Sequence, residues 1–331
     1  MRDQLCFLTG RRHGLWAALR MILAMYQTLR PSRSEFVTVR RLKHHVRVWG
    51  APGANLATGP LPLVLLHGWM DVAASYQFVV DALTQDRYVI APDWRGFGLT
   101  ESGGVDHFWY PDYLADLDGL LDLYAPHGPV NLVGHSMGGN VAMMYAGVRP
   151  ERIHRLINLE GFGLPATKPA QAPARYAQWM DQVKALNRGE KDLKTYDSVG
   201  GVARRLIKTN PRLSVDKAAW LAQHWARESA PGQWTILGDP AHKIINAQLY
   251  REDEVLAVFK RISMPVLMVE AAEDTMTAWW RGQYTHAQHR ERLQAVPQIE
   301  IATVADAGHM LHHDQPERVA ALVEDFLARA H

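Results

Sequence analysis

Gly134-His135-Ser136-Met137-Gly138-Gly139 stands between an apolar run, Val130 to Val133, and a helix-forming stretch, Asn140 to Gly147. A strand that turns this tightly into a helix strains the central residue and lifts its side chain out of the fold, which is how a nucleophile elbow presents a serine. The flanking glycines leave room where a side chain would collide with neighbouring elements. The turn also aims the Met137 N–H, at a helix N-terminus, toward the oxyanion that forms when Ser136 attacks a carbonyl.

A G-x-S-x-G pentamer also arises by chance, so its weight comes from context. A second oxyanion donor is needed from the loop after an earlier strand, and His67-Gly68-Trp69 follows the apolar run Leu63 to Leu66, which makes the Trp69 N–H the candidate. A serine hydroxyl needs a base, and His309, after a predicted last strand Ile299 to Val304, completes the order serine, acid, histidine. His312 and His313 read as surface or capping residues of a final helix. Two carboxylates end strands and compete as the acid: Asp274, favoured by chain order, and Glu160 after Leu156 to Leu159. Substrate contacts are expected at Trp69, His135, Phe162 and Met310.

Short apolar runs at Leu63 to Leu66, Tyr88 to Ala91, Val130 to Val133 and Leu156 to Leu159 suit strands buried on both faces. Between them, Leu114, Leu117, Leu120, Leu121 and Tyr124 share one helix face. This alternation predicts a parallel, doubly wound α/β sheet, with an antiparallel hairpin from Phe36 to Trp49 at its edge and Gly50 to Gly53 as turn. It breaks after Gly163, where Pro165, Pro169 and Pro173 open a mainly helical stretch that reads as an inserted cap. Ser214 is expected to cap a helix there, and Tyr176, Trp179, Trp220, Trp225 and Trp234 are candidates to line an apolar pocket or simply to pack. The sheet pattern returns at Pro265 to Val269, followed by a long helical stretch, Thr277 to Val296. Asp93-Trp94-Arg95-Gly96-Phe97-Gly98 reads as structural, its Asp–Arg pair bracing the oxyanion loop. The division is therefore an extension, 1–33, a core of 34–162 and 263–331, and a helical cap, 163–262.

With 47% apolar and 21% charged residues and a net charge of +2, the 331-residue chain has material for a large core and no field that argues for nucleic acid. The single cysteine, Cys6, rules out an intrachain disulfide and fits a reducing cytoplasm. No H-E-x-x-H helix appears among the 16 histidines, so neither a metal nor an organic cofactor is expected. The run Leu15 to Leu29 is interrupted by Arg20 and is too short for a span. It reads as an amphipathic helix that packs on the body or touches a membrane, with a signal segment as the alternative.

At these motifs the chain resembles the α/β-hydrolase superfamily. His67-Gly68-Trp69-Met70-Asp71 and Asn210-Pro211-Arg212-Leu213 are similar to its serine hydrolase-like branch. The likeness runs from about Glu35 to the C-terminus. It implies the α/β-hydrolase fold, an eight-stranded, mostly parallel sheet with an inserted helical cap, and an acid that in this branch often follows the sixth strand, which keeps Glu160 beside Asp274. A serine at the elbow argues against related enzymes whose nucleophile is aspartate. The expected activity is cofactor-independent hydrolysis of a carboxylic ester or thioester of a small to medium apolar molecule by a monomer or homodimer. The alternatives are cleavage of a diketone carbon–carbon bond by the same triad, and a non-catalytic ligand-binding protein.

Overall fold

The computed structural model describes residues 25–53 and 60–329. The expectations for residues 1–24, Cys6 among them, lie outside the described residues; Met25 to Leu29, the end of the run read as amphipathic, is not helical. Among the described residues no helix is long and apolar enough to cross a membrane.

Among the described residues eleven strands form in chain order: β1 (Arg33–Val39), β2 (Leu42–Trp49), β3 (Leu63–Leu66), β4 (Val89–Pro92), β5 (Val130–His135), β6 (Ile153–Leu159), β7 (Thr195–Tyr196), β8 (Ala226–Ala230), β9 (Gln233–Ile236), β10 (Val266–Ala271) and β11 (Ile299–Val304). The helices are α1 (Gln77–Ala82), α2 (Tyr110–Tyr124), α3 (Met137–Val148), α4 (Ala172–Asn187), α5 (Val199–Thr209), α6 (Val215–Trp225), α7 (Glu252–Phe259), α8 (Thr275–Trp279), α9 (His286–Leu293), α10 (Leu311–Asp314) and α11 (Pro316–Ala328).

The main sheet has eight strands in the order β1-β2-β4-β3-β5-β6-β10-β11. β1, β2 and β4 pair antiparallel and all other neighbours are parallel. This is the mostly parallel, doubly wound sheet expected from the alternation. Because strand side chains alternate in direction, Leu63 and Leu65 enter one core with Val79, Val80, Val323 and Phe326 of α1 and α11. Val64 and Leu66 enter the other, with Leu117, Leu121, Val141 and Ala142 of α2 and α3. From β3 the chain steps to β4 on one side and then to β5 on the other, so the order reverses at the carboxyl ends of β3 and β5. Ligand sites of open α/β sheets sit at such a reversal.

Three expected elements differ. The β1–β2 turn is Arg40-Arg41, both with positive φ, and not the glycines near 50; Arg40 is tied down by Asp112 and Asp116. The stretch from Thr277 breaks into α8 and α9 because Arg281 and Gly282 adopt positive φ. Between β6 and β10 the chain is not purely helical: β7, β9 and β8 form a small antiparallel sheet, turned at Pro231-Gly232 with Gly232 at φ 70°. Ser214 precedes α6, but its hydroxyl donates to Asp216 and does not cap the backbone. Trp220 and Trp225 of α6 bury against Val72 and Phe78 of the core, which explains them by packing. Tyr26 joins this cluster, its hydroxyl bonded to Asp81 at 2.8 Å.

Candidate active site

Ser136 adopts φ 51° and ψ −114°, a sparsely populated conformation that joins the end of β5 to the start of α3. Its N–H donates to Leu159 O at 2.8 Å and its carbonyl accepts the first helical bond, from Asn140, at 2.9 Å. Close approach explains the glycines. A Cβ on Gly134 would lie 2.3 Å from Gly138 O, and one on Gly138 would lie 2.2 Å from Leu66 O. The turn can therefore close only with hydrogen at both positions.

Ser136 Oγ lies 2.9 Å from His309 Nε2, on the loop between β11 and α10. His309 Nδ1 lies 3.3 Å from Glu160 Oε2. With Nδ1–H facing the carboxylate, Nε2 carries a lone pair toward the serine hydroxyl, an arrangement that can accept its proton. Glu160 is 2% exposed and sits at positive φ immediately after β6. Its other oxygen accepts the Ala271 N–H at 2.6 Å, so both oxygens of the buried carboxylate are engaged. The His309 loop is held from three sides. Gly308 N donates to Asp314 Oδ2 at 2.9 Å, Asn210 Nδ2 donates to Asp314 Oδ1 at 2.7 Å, and His135 Nε2–H donates to His309 O at 2.7 Å.

The favoured acid, Asp274, is elsewhere. It is the N-cap of α8, accepting the Thr277 N–H at 2.8 Å and facing His286 Nε2 at 3.2 Å, with its side chain 50% exposed. Partial burial opposes its ionisation, but the bonds from Thr277 and the His286 ring hold its carboxyl below the usual range. Neighbouring Glu273 pairs with Arg212 at 2.8 Å. Chain order does not separate the two carboxylates, because β6 and β10 are adjacent in the sheet and their carboxyl ends face the same edge.

The loop after β3 passes directly beside the serine: a Cβ on Gly68 would lie 3.3 Å from Ser136 Cβ. Its geometry comes from His67, buried by the loop after β4. Trp94 N donates to His67 Nε2 and Trp94 Nε1 to His67 O, both at 2.9 Å, which leaves His67 Nδ1–H to donate to Gly68 O at 2.8 Å. Burial pushes this imidazole's pKa down, so it stays neutral. The Asp93–Arg95 pair expected in this role does not form. Asp93 instead binds His45 Nδ1 at 2.7 Å and accepts from Ala73 and Leu99, while Arg95 grips Asp116 through two bonds of 2.5 and 2.6 Å.

Of the expected substrate contacts, Trp69 is 46% exposed at the mouth of the site and Met310 follows His309 at partial exposure. His135 and Phe162 are buried. His135 lies beneath His309, with ring centroids 4.9 Å apart, and Phe162 packs edge-on against His286 and His289. His312 and His313, read as surface residues, are also buried. The His312 ring packs 4.2 Å from His135. The short spacing from His309 signalled a shared location, but nothing in the pattern of one short helix signalled burial. Among the described residues, Asp71, His135 and His312 group closely enough to hold a metal ion.

A model described as the alpha/beta hydrolase family matches residues 63–322. A "Serine hydrolase-like protein" of Danio rerio is 25% identical over 305 residues, covering 91% of this chain and 90% of that protein. A "Cis-3-alkyl-4-alkyloxetan-2-one decarboxylase" of Shewanella oneidensis is 25% identical over 320 residues, covering 92% and 91%. Among solved structures, a thioesterase domain from the curacin biosynthetic pathway superposes with a TM-score of 0.76 at 23% identity, covering 89% of this chain and 99% of that one, a likeness of fold.

Proposed function

Because the chain belongs to the alpha/beta hydrolase family, we propose that it is a serine hydrolase that cleaves a carboxylic ester or thioester through an acyl-enzyme on Ser136. The observation that carries this reading is the continuous relay from Ser136 Oγ through His309 to buried Glu160, at 2.9 and 3.3 Å. His309 Nε2 takes the hydroxyl proton as Ser136 Oγ attacks the acyl carbon, and Glu160 stabilises the imidazolium that forms. The N–H groups of Trp69 and Met137 receive the tetrahedral oxyanion. Collapse expels the alcohol or thiol, which leaves with the proton from His309. Water, deprotonated by the same nitrogen, then attacks the acyl-enzyme and releases the acid and free Ser136.

Residues 163–262 act as the cap over this site, and Trp69 and Met310 contact substrate from the core side. The exposed apolar side chains Trp69, Leu164 and Trp279 follow β3, β6 and β10 at the sheet edge that bears the serine, which supports an apolar acyl or alcohol group. The reading is tested by fluorophosphonate labelling and by turnover of p-nitrophenyl esters of increasing acyl length. Labelling and turnover are expected in the wild type and neither in Ser136→Ala. A folded wild type that is inert to the probe overturns the proposal.

A further inference from the structure

Beneath His309 lies a group of buried polar atoms that the hydrolytic relay does not use. Asp71, His135 and His312 are 3%, 1% and 0% exposed. They come from the loop after β3, the end of β5 and α10, and each offers one ligand atom, all within 4.8 Å of one another. Asp71 Oδ2, His135 Nδ1 and both ring nitrogens of His312 have no hydrogen-bond partner in the protein. Buried polar atoms without partners are rare and costly, so three such side chains converging on one point call for an occupant.

The surrounding bonds prepare these atoms as donors of electron pairs. His135 Nε2–H is committed to His309 O at 2.7 Å, which leaves Nδ1 as a lone pair. Backbone carbonyls fix metal-binding imidazoles in this way. Asp71 Oδ1 accepts from Trp225 Nε1 at 2.9 Å and from Ser75 Oγ, so its free oxygen is Oδ2, 3.8 Å from His312 Nε2.

We propose that Asp71, His135 and His312 bind one divalent transition-metal ion of the zinc class. Two imidazoles and one carboxylate match that ion's preference and leave a fourth tetrahedral position for water. Zinc–ligand bonds of about 2.0–2.1 Å place ligand atoms ~3.4 Å apart, so each side chain need move only about 1 Å. Motif spacing misses the site because its ligands come from three separate segments. The ion also has a consequence that rests on the hydrolase reading. It adds positive charge one imidazole away from His309, whose ring lies 4.9 Å from that of His135, and so opposes the imidazolium on which the base depends. Zinc is then an inhibitor and not a cofactor.

The experiment titrates Zn2+ into the full-length protein by calorimetry, follows Co2+ by ligand-field absorption, and locates the ion by anomalous diffraction from wild-type crystals. One ion per chain is expected, unchanged in Cys6→Ser and weakened at least ~10-fold in His312→Gln and Asp71→Asn. Ester turnover should show a fall in kcat of roughly tenfold at saturating Zn2+ in the wild type. Absence of stoichiometric binding, undiminished binding in the folded variants, or an anomalous peak elsewhere with only water among these side chains would overturn the site. If the variants do not fold, the wild-type diffraction decides alone. Binding at the site without inhibition overturns only the kinetic consequence, and an inactive protein that still binds zinc counts against the hydrolase reading and not this one.

Discussion

Glu160 and His309 meet at 3.3 Å although 149 residues separate them, and the carboxylate does so from a left-handed backbone position at the end of β6. The Ala271 N–H on its second oxygen aims it across the neighbouring strand. The carboxylate that faces His309 thus lies one strand away from where chain order puts an acid. Glu160→Gln should lower kcat/KM by roughly 10³–10⁴-fold, because the amide can no longer stabilise the imidazolium. Asp274→Asn should leave kcat/KM within about threefold, since removing a half-exposed helix cap costs stability and not chemistry. Steady-state ester kinetics on both variants checks this; equal losses would reject the assignment.

Backbone strain at Ser136 leads to a second expectation. Glycine tolerates φ 51° and ψ −114° better than serine, so Ser136→Gly should raise the unfolding free energy by about 1–2 kcal/mol while abolishing fluorophosphonate labelling. Ser136→Ala loses the chemistry without this gain. Urea unfolding of the pair tests it, and equal stabilities would show that the turn is unstrained.

Buried His289 supplies a pH dependence. Burial first, then the charges of His286 and Arg292, push its pKa down to about 3, whereas in the unfolded chain it titrates near 6.5. Below the unfolded value the unfolded state takes up a proton that the folded state refuses, so stability is full above pH 6.5 and falls as the pH drops toward about 3. By pH 5 this one group should cost about 2 kcal/mol. His289→Leu should flatten the slope of unfolding free energy between pH 7 and 5 by that amount, as measured by urea titration at each pH. An unchanged slope would contradict it.

Arg95 and Asp116 form a buried, doubly hydrogen-bonded pair under the loop after β4. Arg95→Ala strands the carboxylate and should cost about 3–5 kcal/mol of stability. Arg95→Lys should recover only part of this, because an ammonium cannot make both bonds at once. Thermal melts of the two variants decide it, and a loss under about 1 kcal/mol for alanine would mean that Arg40, also on Asp116, suffices.

How much of this the sequence revealed depended on the range of the interaction. Ser136, with strand, glycines and helix all within a few residues, was legible because its constraint is local. The alternation of apolar runs gave the parallel sheet for the same reason, since each of Leu63 to Leu66 meets one of two cores through its own pleat. Chain order favours Asp274 over Glu160, but neighbouring strands present equivalent ends, and only the direction of the Glu160 side chain, toward His309, separates them. Proximity along the chain pairs Arg95 with Asp93, yet its partner, Asp116, lies on α2. The burial of His312 and His313 follows from α10 docking against the start of α1, a contact without periodic trace.

Asp314 offers one oxygen to the Gly308 N–H beside the base and the other to Asn210 of the inserted segment. One carboxylate thereby fastens the inserted segment to the loop that carries His309. The insertion is for that reason not an interchangeable module. Grafting a foreign one between β6 and β10 to change specificity would also release the anchor of His309, unless the graft supplies its own amide where Asn210 now stands.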